Sequence, residues 1–297
     1  MDVSIIIVNY NTISFLIDAI DSVLAKTEGI EYEIIVVDNN SSDNSKNILA
    51  EKYGDKVIYL ALPENIGFGR ANNEGAKIAK GRNLFLLNPD TILLNNAIKI
   101  LSDYLDDNPN VGCCGGNLFD ADGNPTFSYR KYFYSVFFEI SRLFFLLPEK
   151  LLYGRNVFFN NTNRPLKVAF ITGADLMIRK VIFDELCGFD PDFFMYSEES
   201  ELEFRVAKSG YKRVSIPSAK IIHFEGKSFS NNFDRNRKLL ASRNILIKKM
   251  YKPLTIAGIN VLFLLNTLVR LFIFTLLQNK EKTLIYSEIY KDYKLYN

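Results

Sequence analysis

The sequence predicts an α/β fold built on a mixed, mostly parallel sheet that is flanked by helices. Two observations predict it: over roughly the first 120 residues short apolar runs alternate with segments of helical periodicity, and polar residues directly follow several of those runs. Strands and helices that alternate in this way form βαβ units, whose right-handed crossovers bring the strand-end loops to one edge of the sheet. Because ligands bind at the carboxyl ends of strands in such sheets, acids placed there are candidate functional groups.

The first half of the chain contains four predicted strands and four predicted helices. The strands are the apolar runs at 3–8, 33–37, 56–62 and 82–87, and the helices lie at about 16–24, 43–53, from 67 onward and 95–107. We expect Ser42 to cap the second helix. The third helix carries Ala71, Gly75 and Ala79 on one face, and these small residues allow close packing.

After residue 111 the pattern changes. Residues 120–125 favour a turn, and residues 126–166 are aromatic and irregular. The later elements are predicted as strands near 168–171 and after 175, and as helices near 180–187 and 198–209, the last ending at Gly210. We divide the chain into a catalytic domain at residues 1–230 and a helical tail at 231–297. Within the catalytic domain, the nucleotide-binding half extends to about residue 120 and the acceptor half covers 121–230.

Composition and charge restrict the classes of function. With 297 residues, 48% hydrophobic and 24% charged, the chain has an ordinary globular composition. A net charge of +2 is too small to indicate nucleic-acid binding, so we expect no nucleic-acid partner. The charge is uneven, because residues 226–297 hold 13 Lys and Arg against 4 Asp and Glu. This asymmetry predicts an acidic catalytic body and a basic tail that faces an anionic surface.

The cysteines and the N-terminal segment indicate a cytosolic protein. Cys113, Cys114 and Cys187 form neither an even disulfide framework nor a C-x-x-C metal pair. The apolar run at 3–8 is too short for a secretory signal and lacks a basic start. We therefore expect reduced thiols and a cytoplasmic location.

The tail contains a candidate membrane element. Residues 235–252 hold seven Lys and Arg and no acid, and they precede the apolar segment 254–277. Such a pattern predicts a helix at the cytoplasmic face of the membrane, and its alternative is a buried core helix. Asn260, Asn266 and Arg270 interrupt the apolar segment, so we expect it to lie in the interface rather than to span.

Polar residues after the first two strands are candidate nucleotide ligands. Asp38 ends the second strand, where its carboxylate can accept hydrogen bonds from a pyrimidine N–H or a ribose hydroxyl. Asn9 and Tyr10, after the first strand, form a second polar lip on the same edge. The alternative is plain turn chemistry, since Asp and Asn are common after strands.

The segment 65–73 opens a helix with glycine and a cation. Exposed N–H groups at a helix start, together with Arg70, suit a phosphate. It is not the G-x-G-x-x-G fingerprint, because Asn72 occupies the place of the last glycine. That departure argues against a dinucleotide-dependent dehydrogenase.

Asp90 and the single histidine, His223, are candidate metal and diphosphate ligands. Pro89 cannot continue a central strand, so the chain turns and leaves Asp90 on the ligand edge. One carboxylate together with diphosphate oxygens is a usual way to hold Mg²⁺ or Mn²⁺. A strand-ending turn and a structural histidine are the alternatives. Residues 226–228, Gly-Lys-Ser, would suit a diphosphate beside His223.

Glu198 and Glu199 are candidate general bases. They occupy the first turn of a helix whose expected N-cap is Ser197, where acids also favour the helix macrodipole. In a functional role, one of them would deprotonate an attacking hydroxyl. We expect the following helix to bury Leu202 and Val206, with Arg205 placed to hold an acid.

Taken together, these motifs resemble the inverting family 2 glycosyltransferases of the GT-A fold, a Rossmann-like architecture. The resemblance covers roughly residues 2–228. The matching strings are SIIIVNYN (4–11), VVDNNSSD (36–43), NxGFGxANNxG (65–75), LNPD (87–90), TGA (172–174), YxEE (196–199) and HxxGxS (223–228).

The resemblance implies roles for individual residues. Asp38 would contact the base or ribose of a nucleotide-sugar, and the donor site would also include Asn65, Gly67, Asn72, Asn88 and Gly173. Asn88-Pro89-Asp90 stands where the family has its Asp-x-Asp metal motif, so Asp90 would hold the metal with His223. The family base is the second acid of a Glu-Asp pair, and here that position is Glu199, with Glu198 as the alternative.

The Asn-Pro-Asp variant and the tail are most similar to the rhamnosyltransferase-type branch. This similarity implies a dTDP-rhamnose or UDP-hexose donor and a glycan or lipid-linked acceptor in bacterial polysaccharide assembly. Two rival functions stay open. A nucleotidyltransferase would need a triphosphate loop rich in Gly and Lys after the first strand, which the sequence lacks there. A non-catalytic carbohydrate-binding or membrane-binding relative would lack sugar transfer.

Overall fold

A computed structural model of the chain describes residues 1–224 and 232–296. The strands are β1 (Val3–Asn9), β2 (Tyr32–Asp38), β3 (Val57–Ala61), β4 (Asn83–Leu87), β5 (Thr91–Leu93), β6 (Val111–Phe119), β7 (Tyr129–Arg130), β8 (Leu166–Val168), β9 (Phe170–Ile171), β10 (Asp175–Arg179) and β11 (Lys212–His223). The helices are α1 (Ile13–Lys26), α2 (Ser45–Tyr53), α3 (Phe68–Ile78), α4 (Ala97–Asp107), α5 (Val136–Leu143), α6 (Leu147–Tyr153), α7 (Lys180–Glu185), α8 (Glu198–Lys208), α9 (Asn232–Met250), α10 (Pro253–Leu276) and α11 (Lys280–Tyr296).

A nine-stranded mixed sheet forms the centre of the described chain. Its order is β3-β2-β1-β4-β10-β6-β11-β5, and β8 also pairs with β11. The first four strands in this order pair in parallel, as their continuous apolar runs predict. Beyond β4 the pairing alternates, because β10 lies antiparallel to both β4 and β6, whereas β6 and β11 are parallel. The predicted mixed sheet is confirmed, and its parallel part is concentrated in the N-terminal half.

Two hydrophobic layers cover the two faces of the sheet. Successive β1 side chains point to opposite faces, so Ile5 and Ile7 join the layer under α1 and α4, while Ile6 joins the layer under α3, α7 and α8. The small-residue face predicted for α3 makes close contact possible. A Cβ atom added at Gly75 would lie 2.7 Å from Cγ2 of Ile6.

Of the two predicted helix caps, Ser42 is wrong because Asn44 caps α2, whereas Ser197 is the N-cap residue of α8 as predicted; residues with positive φ angles precede both helices. α2 begins at Ser45 after Asn44, which has a φ of 58°, and the backbone N–H and hydroxyl of Ser42 donate to Asn11 Oδ1 instead. α8 follows Ser197, whose φ is 67° and whose side chain makes no capping bond. Local sequence favours Ser as a cap, but the tertiary path of each loop decides the backbone angle.

The C-terminal helices pack against the α/β body. Ser242 of α9 donates a hydrogen bond to the Met195 carbonyl oxygen at 2.6 Å, and Lys249 of the same helix forms a 2.6 Å ion pair with Asp190. α10 packs against α5 and α11. Within the described residues, α10 is the helix whose length and composition would allow it to cross a membrane, with a mean hydropathy of 2.0.

Candidate active site

The end of β4 and the end of β11 meet at one edge of the sheet. β5 follows the Asn88–Asp90 turn and pairs with β11 so that His223 lies opposite Thr91. His223 Nε2 is 3.4 Å from Asp90 Oδ1 and 3.4 Å from Asn88 Nδ2. The Phe224 N–H donates to the Asp90 carbonyl oxygen at 3.0 Å. The sheet therefore assembles a carboxylate, an imidazole and an amide at one point.

Glu198 and Glu199 open α8 close to this edge. Burial raises the pKa of Glu199 to about 7, and the backbone N–H groups of Glu199 and Ser200, which bond its carboxylate, act in the opposite direction. Burial also raises the pKa of Glu198 well above its usual range, and the charge of Glu199 adds to that rise. Glu198 is 4% exposed and its Oε2 atom is buried without a hydrogen-bond partner among the described residues, whereas Glu199 is half-buried. Both carboxyl groups of the pair therefore hold a proton more tightly than an exposed glutamate does, and Glu199 has a pKa of about 7.

Gly173 lies between Glu199 and the β4 end. A Cβ atom added there would lie 3.8 Å from the Glu199 Cβ and 3.6 Å from the Phe68 ring. The neighbouring Ala174 accepts a 3.0 Å hydrogen bond from the Asn88 N–H, which fixes this loop against the end of β4. A larger side chain at Gly173 would fill the space in front of Glu199.

A network of amides orders the loop before α3. The Asn39 side chain donates to Asn65 Oδ1 at 2.9 Å and accepts from the Ile66 N–H at 2.9 Å. Gly67 has a φ of 90°, and a Cβ atom there would lie 2.2 Å from the Phe194 carbonyl oxygen. Glycine at this position lets the chain around Phe194 approach the start of α3.

Asp38 and Asn9 form a buried hydrogen-bonded pair next to this loop. Asn9 is fully buried, and its Nδ2 donates to Asp38 Oδ1 at 3.4 Å and to Ser45 Oγ at 2.8 Å. Asp38 is 6% exposed and also accepts from the Ser41 N–H and the Tyr59 hydroxyl. The side chain of Asn9 therefore orients Asp38. This corrects the prediction that Asn9 contacts the nucleotide directly.

Two other predicted nucleotide ligands are bonded to backbone carbonyl groups of the protein. The Arg70 guanidinium donates to the Pro191 carbonyl oxygen, 2.8 Å from its Nε, so it stabilises a neighbouring loop rather than a phosphate site. Asn72 is 1% exposed and its amide donates to the Phe68 carbonyl oxygen at 3.1 Å. A cation or amide near a helix start suits an anion, but here backbone carbonyl groups of the protein are the partners.

A cavity of about 480 Å³ collects most of the predicted residues. Those that line it are Tyr10, Asn65, Gly67, Asn88, Asp90, Gly173, Glu198, Glu199 and His223. Its volume lies in the range of small-molecule sites, about 300–1,000 Å³. Residues 226–228, predicted to assist a diphosphate, lie outside the described residues.

The cavity also contains residues that the sequence prediction missed. They include Asn39 after β2, the aromatic side chains Phe194 and Tyr196 before α8, and Arg235 and Lys238 of α9. The signal for the last two was present, since positions three apart share one face of a helix. The prediction assigned that basic segment to a membrane surface instead.

A divalent ion fits the donor set only with help from a substrate. Among residues 1–224 and 232–296 no three His, Cys, Asp or Glu side chains come together as a metal site. Asp90 and His223 offer one carboxylate oxygen and one imidazole nitrogen. Diphosphate oxygens and water would complete the coordination, as is usual for Mg²⁺.

Comparison with known proteins identifies the family. The model of "Glycosyl transferase family 2" matches residues 4–187, more than half of the chain. The chain belongs to glycosyl transferase family 2. The predicted family and enzyme class, a glycosyltransferase, are confirmed.

Relatives and solved structures agree with this membership. The chain is 27% identical over 76% of its length to the O-antigen biosynthesis protein RfbC of Myxococcus xanthus, and 25% identical over 66% to the N-acetylglucosaminyl-diphospho-decaprenol L-rhamnosyltransferase of Mycobacterium tuberculosis. These matches span 17% and 67% of the two relatives. The mannosyltransferase PcManGT from Pyrobaculum calidifontis, solved with GDP-Man and Mn²⁺, superposes with a TM-score of 0.61 at 17% identity, covering 89% of this chain and 70% of that one. The predicted GT-A fold is confirmed.

Proposed function

We propose that this glycosyltransferase moves a sugar from a nucleotide-diphospho-sugar to a hydroxyl group of a glycan or lipid-linked glycan, with inversion at the anomeric carbon. One observation carries the proposal: the Asp90–His223 pair and Glu199 line the same cavity. The first would hold a divalent ion against a leaving diphosphate, and the second can receive a proton. A transfer reaction needs both functions on either side of one reacting carbon.

The donor half of the proposal rests on the sheet edge. Tyr10, Asn39 and Asn65 line the cavity, where an aromatic ring and amide groups would face the base and ribose. Asp90 and His223 would hold Mg²⁺ or Mn²⁺ against the diphosphate, which is consistent with the Mn²⁺ in the mannosyltransferase structure. The ion, when bound, would neutralise negative charge on the departing oxygens.

The reaction is a single displacement. The acceptor oxygen forms a bond to the anomeric carbon while the bond from that carbon to the diphosphate oxygen breaks, and the electron pair leaves with the nucleoside diphosphate. Glu199 takes the acceptor proton. A base whose pKa is about 7 is ionised in a large fraction of molecules near neutral pH and is still basic enough to accept a proton.

The biological setting is bacterial polysaccharide assembly at the cytoplasmic face of the membrane. The names of the Myxococcus xanthus and Mycobacterium tuberculosis relatives support a cell-envelope product, and the second supports a lipid-linked acceptor. dTDP-rhamnose and a UDP-hexose are the donor candidates. The apolar helix α10 supports a location at the membrane.

The test begins with donor binding. Purified protein would be screened for thermal stabilisation by a panel of nucleotide-sugars with and without Mn²⁺, and the best donor assayed for transfer to a lipid-linked acceptor. NMR of the product would give the anomeric configuration. We expect metal-dependent stabilisation and an inverted product. A retained configuration, or consumption of nucleoside triphosphates without sugar transfer, would contradict the proposal.

Matched glutamine variants separate catalysis from folding. Glu199→Gln keeps the shape of the side chain but cannot accept a proton, so donor binding should persist while transfer is lost. Glu185→Gln, an exposed position at the end of α7, serves as the control. Equal loss of donor binding and transfer in Glu199→Gln would show that Glu199 is structural.

A further inference from the structure

α10 presents an entirely apolar stripe to its surroundings. Its exposed large side chains recur at helical spacing along one face, and they are Leu254, Val261, Leu265, Leu268, Phe272 and Leu276. Their exposed fractions run from 40% to 87%. A helix on the surface of a water-soluble protein carries polar residues on its outer face, so the amphipathic pattern here is reversed.

The opposite face of α10 carries the polar residues, and these are bonded to the body. The Asn266 amide donates to the Glu139 carbonyl oxygen at 2.8 Å and to Glu139 Oε2 at 2.7 Å, and Arg270 Nη2 donates to the Arg142 carbonyl oxygen at 2.6 Å. Asn260 accepts from Arg243 at 2.9 Å. Because these contacts run along the middle of α10, a bilayer-crossing position would pull charged groups of α5 and α9 into hydrocarbon.

A second apolar cluster adjoins the same helix at the turn between α5 and α6. Phe144, Phe145 and Leu147 are 57%, 56% and 55% exposed, and Leu151 of α6 is 77% exposed. Phe145 has a φ of 53°, a backbone angle that bulky residues rarely adopt. Its ring lies 5.0 Å from the Arg270 guanidinium, so the turn is in contact with α10.

Exposed cations border both apolar clusters. Lys252 precedes α10, Lys280 and Lys282 follow it, and Lys150 and Arg155 lie in and after α6. Glu281 is the acid among the exposed charged residues of 252–282. Cations around an apolar surface are complementary to anionic lipid headgroups above acyl chains.

We propose that the outer stripe of α10 and the α5–α6 turn form one monotopic docking surface for an anionic lipid bilayer, with α10 lying in the interface and not crossing it. The stripe enters the acyl boundary, the turn inserts beside it, and the flanking lysines contact headgroups. This inference concerns a surface outside the cavity and does not depend on the proposed reaction.

Vesicle flotation of the full chain tests the surface. We expect the protein to float with phosphatidylcholine vesicles that contain phosphatidylglycerol, at least about tenfold more tightly than with phosphatidylcholine alone. Val261→Asn and Phe272→Asn should each weaken that binding by about fivefold or more. Val181→Asn is the matched control, because Val181 is 59% exposed on α7 and Val261 is 66% exposed on α10. Equal binding of Val261→Asn and Val181→Asn would overturn the proposal.

A separate double variant tests the contribution of the α5–α6 turn to the docking surface. Phe144→Asn combined with Leu151→Asn should weaken vesicle binding by about fivefold or more, while thermal stability and donor stabilisation stay close to those of the unaltered protein. Unchanged vesicle binding in this double variant would remove the turn from the surface. Loss of vesicle binding with intact transfer to a soluble acceptor separates this inference from the proposed function.

Labelling from one side of the membrane tests the orientation. Lys252→Cys and Gln278→Cys, at the two ends of α10, would each be made in a Cys187→Ser background and treated with a membrane-impermeant maleimide on the cytoplasmic side of inverted vesicles. We expect both to react. Reaction of one alone would show a spanning helix. A dimer in solution that Val261→Asn dissociates, with vesicle binding unaltered, would instead assign the stripe to a second copy.

Discussion

The Nε2 atom of His223 lies 3.4 Å from Oδ1 of Asp90, although one residue ends β11 and the other follows β4. The link between them is β5, which leaves the Asp90 turn and pairs antiparallel with β11. Asp90 is 6% exposed, so its carboxylate has little contact with bulk water. Two ligand groups fixed by the sheet itself need little reorganisation when a substrate arrives.

Replacing either member of this pair should weaken metal-dependent donor binding. Asp90→Asn removes the charge and His223→Ala removes the nitrogen, so each should raise the donor Kd in Mn²⁺ by about tenfold or more. Isothermal titration calorimetry with and without EDTA measures this. Asp55→Asn, an exposed carboxylate before β3, is the control. Donor binding that is indifferent to both EDTA and these substitutions would contradict the metal role.

Adjacent residues at the end of β1 should give opposite phenotypes. Asn9→Ala removes the buried amide that donates to Asp38 and Ser45, which should lower the free energy of unfolding by about 1–3 kcal/mol. Tyr10 is 48% exposed and lines the cavity, so Tyr10→Ala should change stability by less than about 0.5 kcal/mol while weakening donor binding. Urea unfolding and donor titration on both variants check the contrast. Stability lost equally in both would contradict it.

The ends of the strands could be predicted from the sequence. A strand that is buried on both faces of the sheet is a continuous apolar run, and a polar residue follows where it ends. Asp90 and His223 could be named from that pattern, and the structure joins them. Asn9 and Tyr10 could not be separated in the same way. Which of two neighbouring residues faces the cavity depends on the register of β1 against β2, where Asn9 lies opposite Asp38.

The missed features depend on contacts between distant parts of the chain. Arg70 meets the Pro191 carbonyl oxygen only because the loop after α7 folds back to α3. The wall formed by Arg235 and Lys238 depends on α9 docking through Ser242 and Lys249, and a basic amphipathic pattern alone does not specify that partner. Sequence periodicity gives the face of a helix but not the surface that it covers.

Asp175 should make the stability of the protein fall as pH rises. It is fully buried on β10, and burial raises its pKa from 3.8 to about 7, against the Gly116 N–H that bonds Oδ2 at 2.5 Å. At pH values between 3.8 and about 7 the carboxyl group is protonated in the folded protein and ionised in the unfolded chain. The resulting loss in the free energy of unfolding is therefore absent at low pH and complete above about pH 7.

Asp175→Asn should therefore stabilise the protein more at about pH 8 than at about pH 5, by on the order of 1–3 kcal/mol. The asparagine oxygen can still accept from Gly116, and it carries no charge to desolvate. Urea unfolding at several pH values measures the difference, with Asp55→Asn as the exposed control. A gain that does not change with pH would show that ionisation of Asp175 is not the cause.

The two neighbouring glutamates should be separable by their pH profiles. Glu199 must be ionised to act as a base and its pKa is about 7, so kcat/KM should rise about tenfold per pH unit below 7 and level off above it. Burial and the charge of Glu199 raise the pKa of Glu198, whose Oε2 has no hydrogen-bond partner among the described residues, so its protonated form is favoured and carries no charge that could shift the pKa of Glu199. Glu198→Gln should therefore keep the rise of kcat/KM below pH 7. Glu199→Gln should remove this pH-dependent rise and lower kcat by about 100-fold or more. Steady-state rates measured across a range of pH test this assignment. A pH-dependent rise in kcat/KM that persists in Glu199→Gln but shifts in Glu198→Gln would make Glu198 the base.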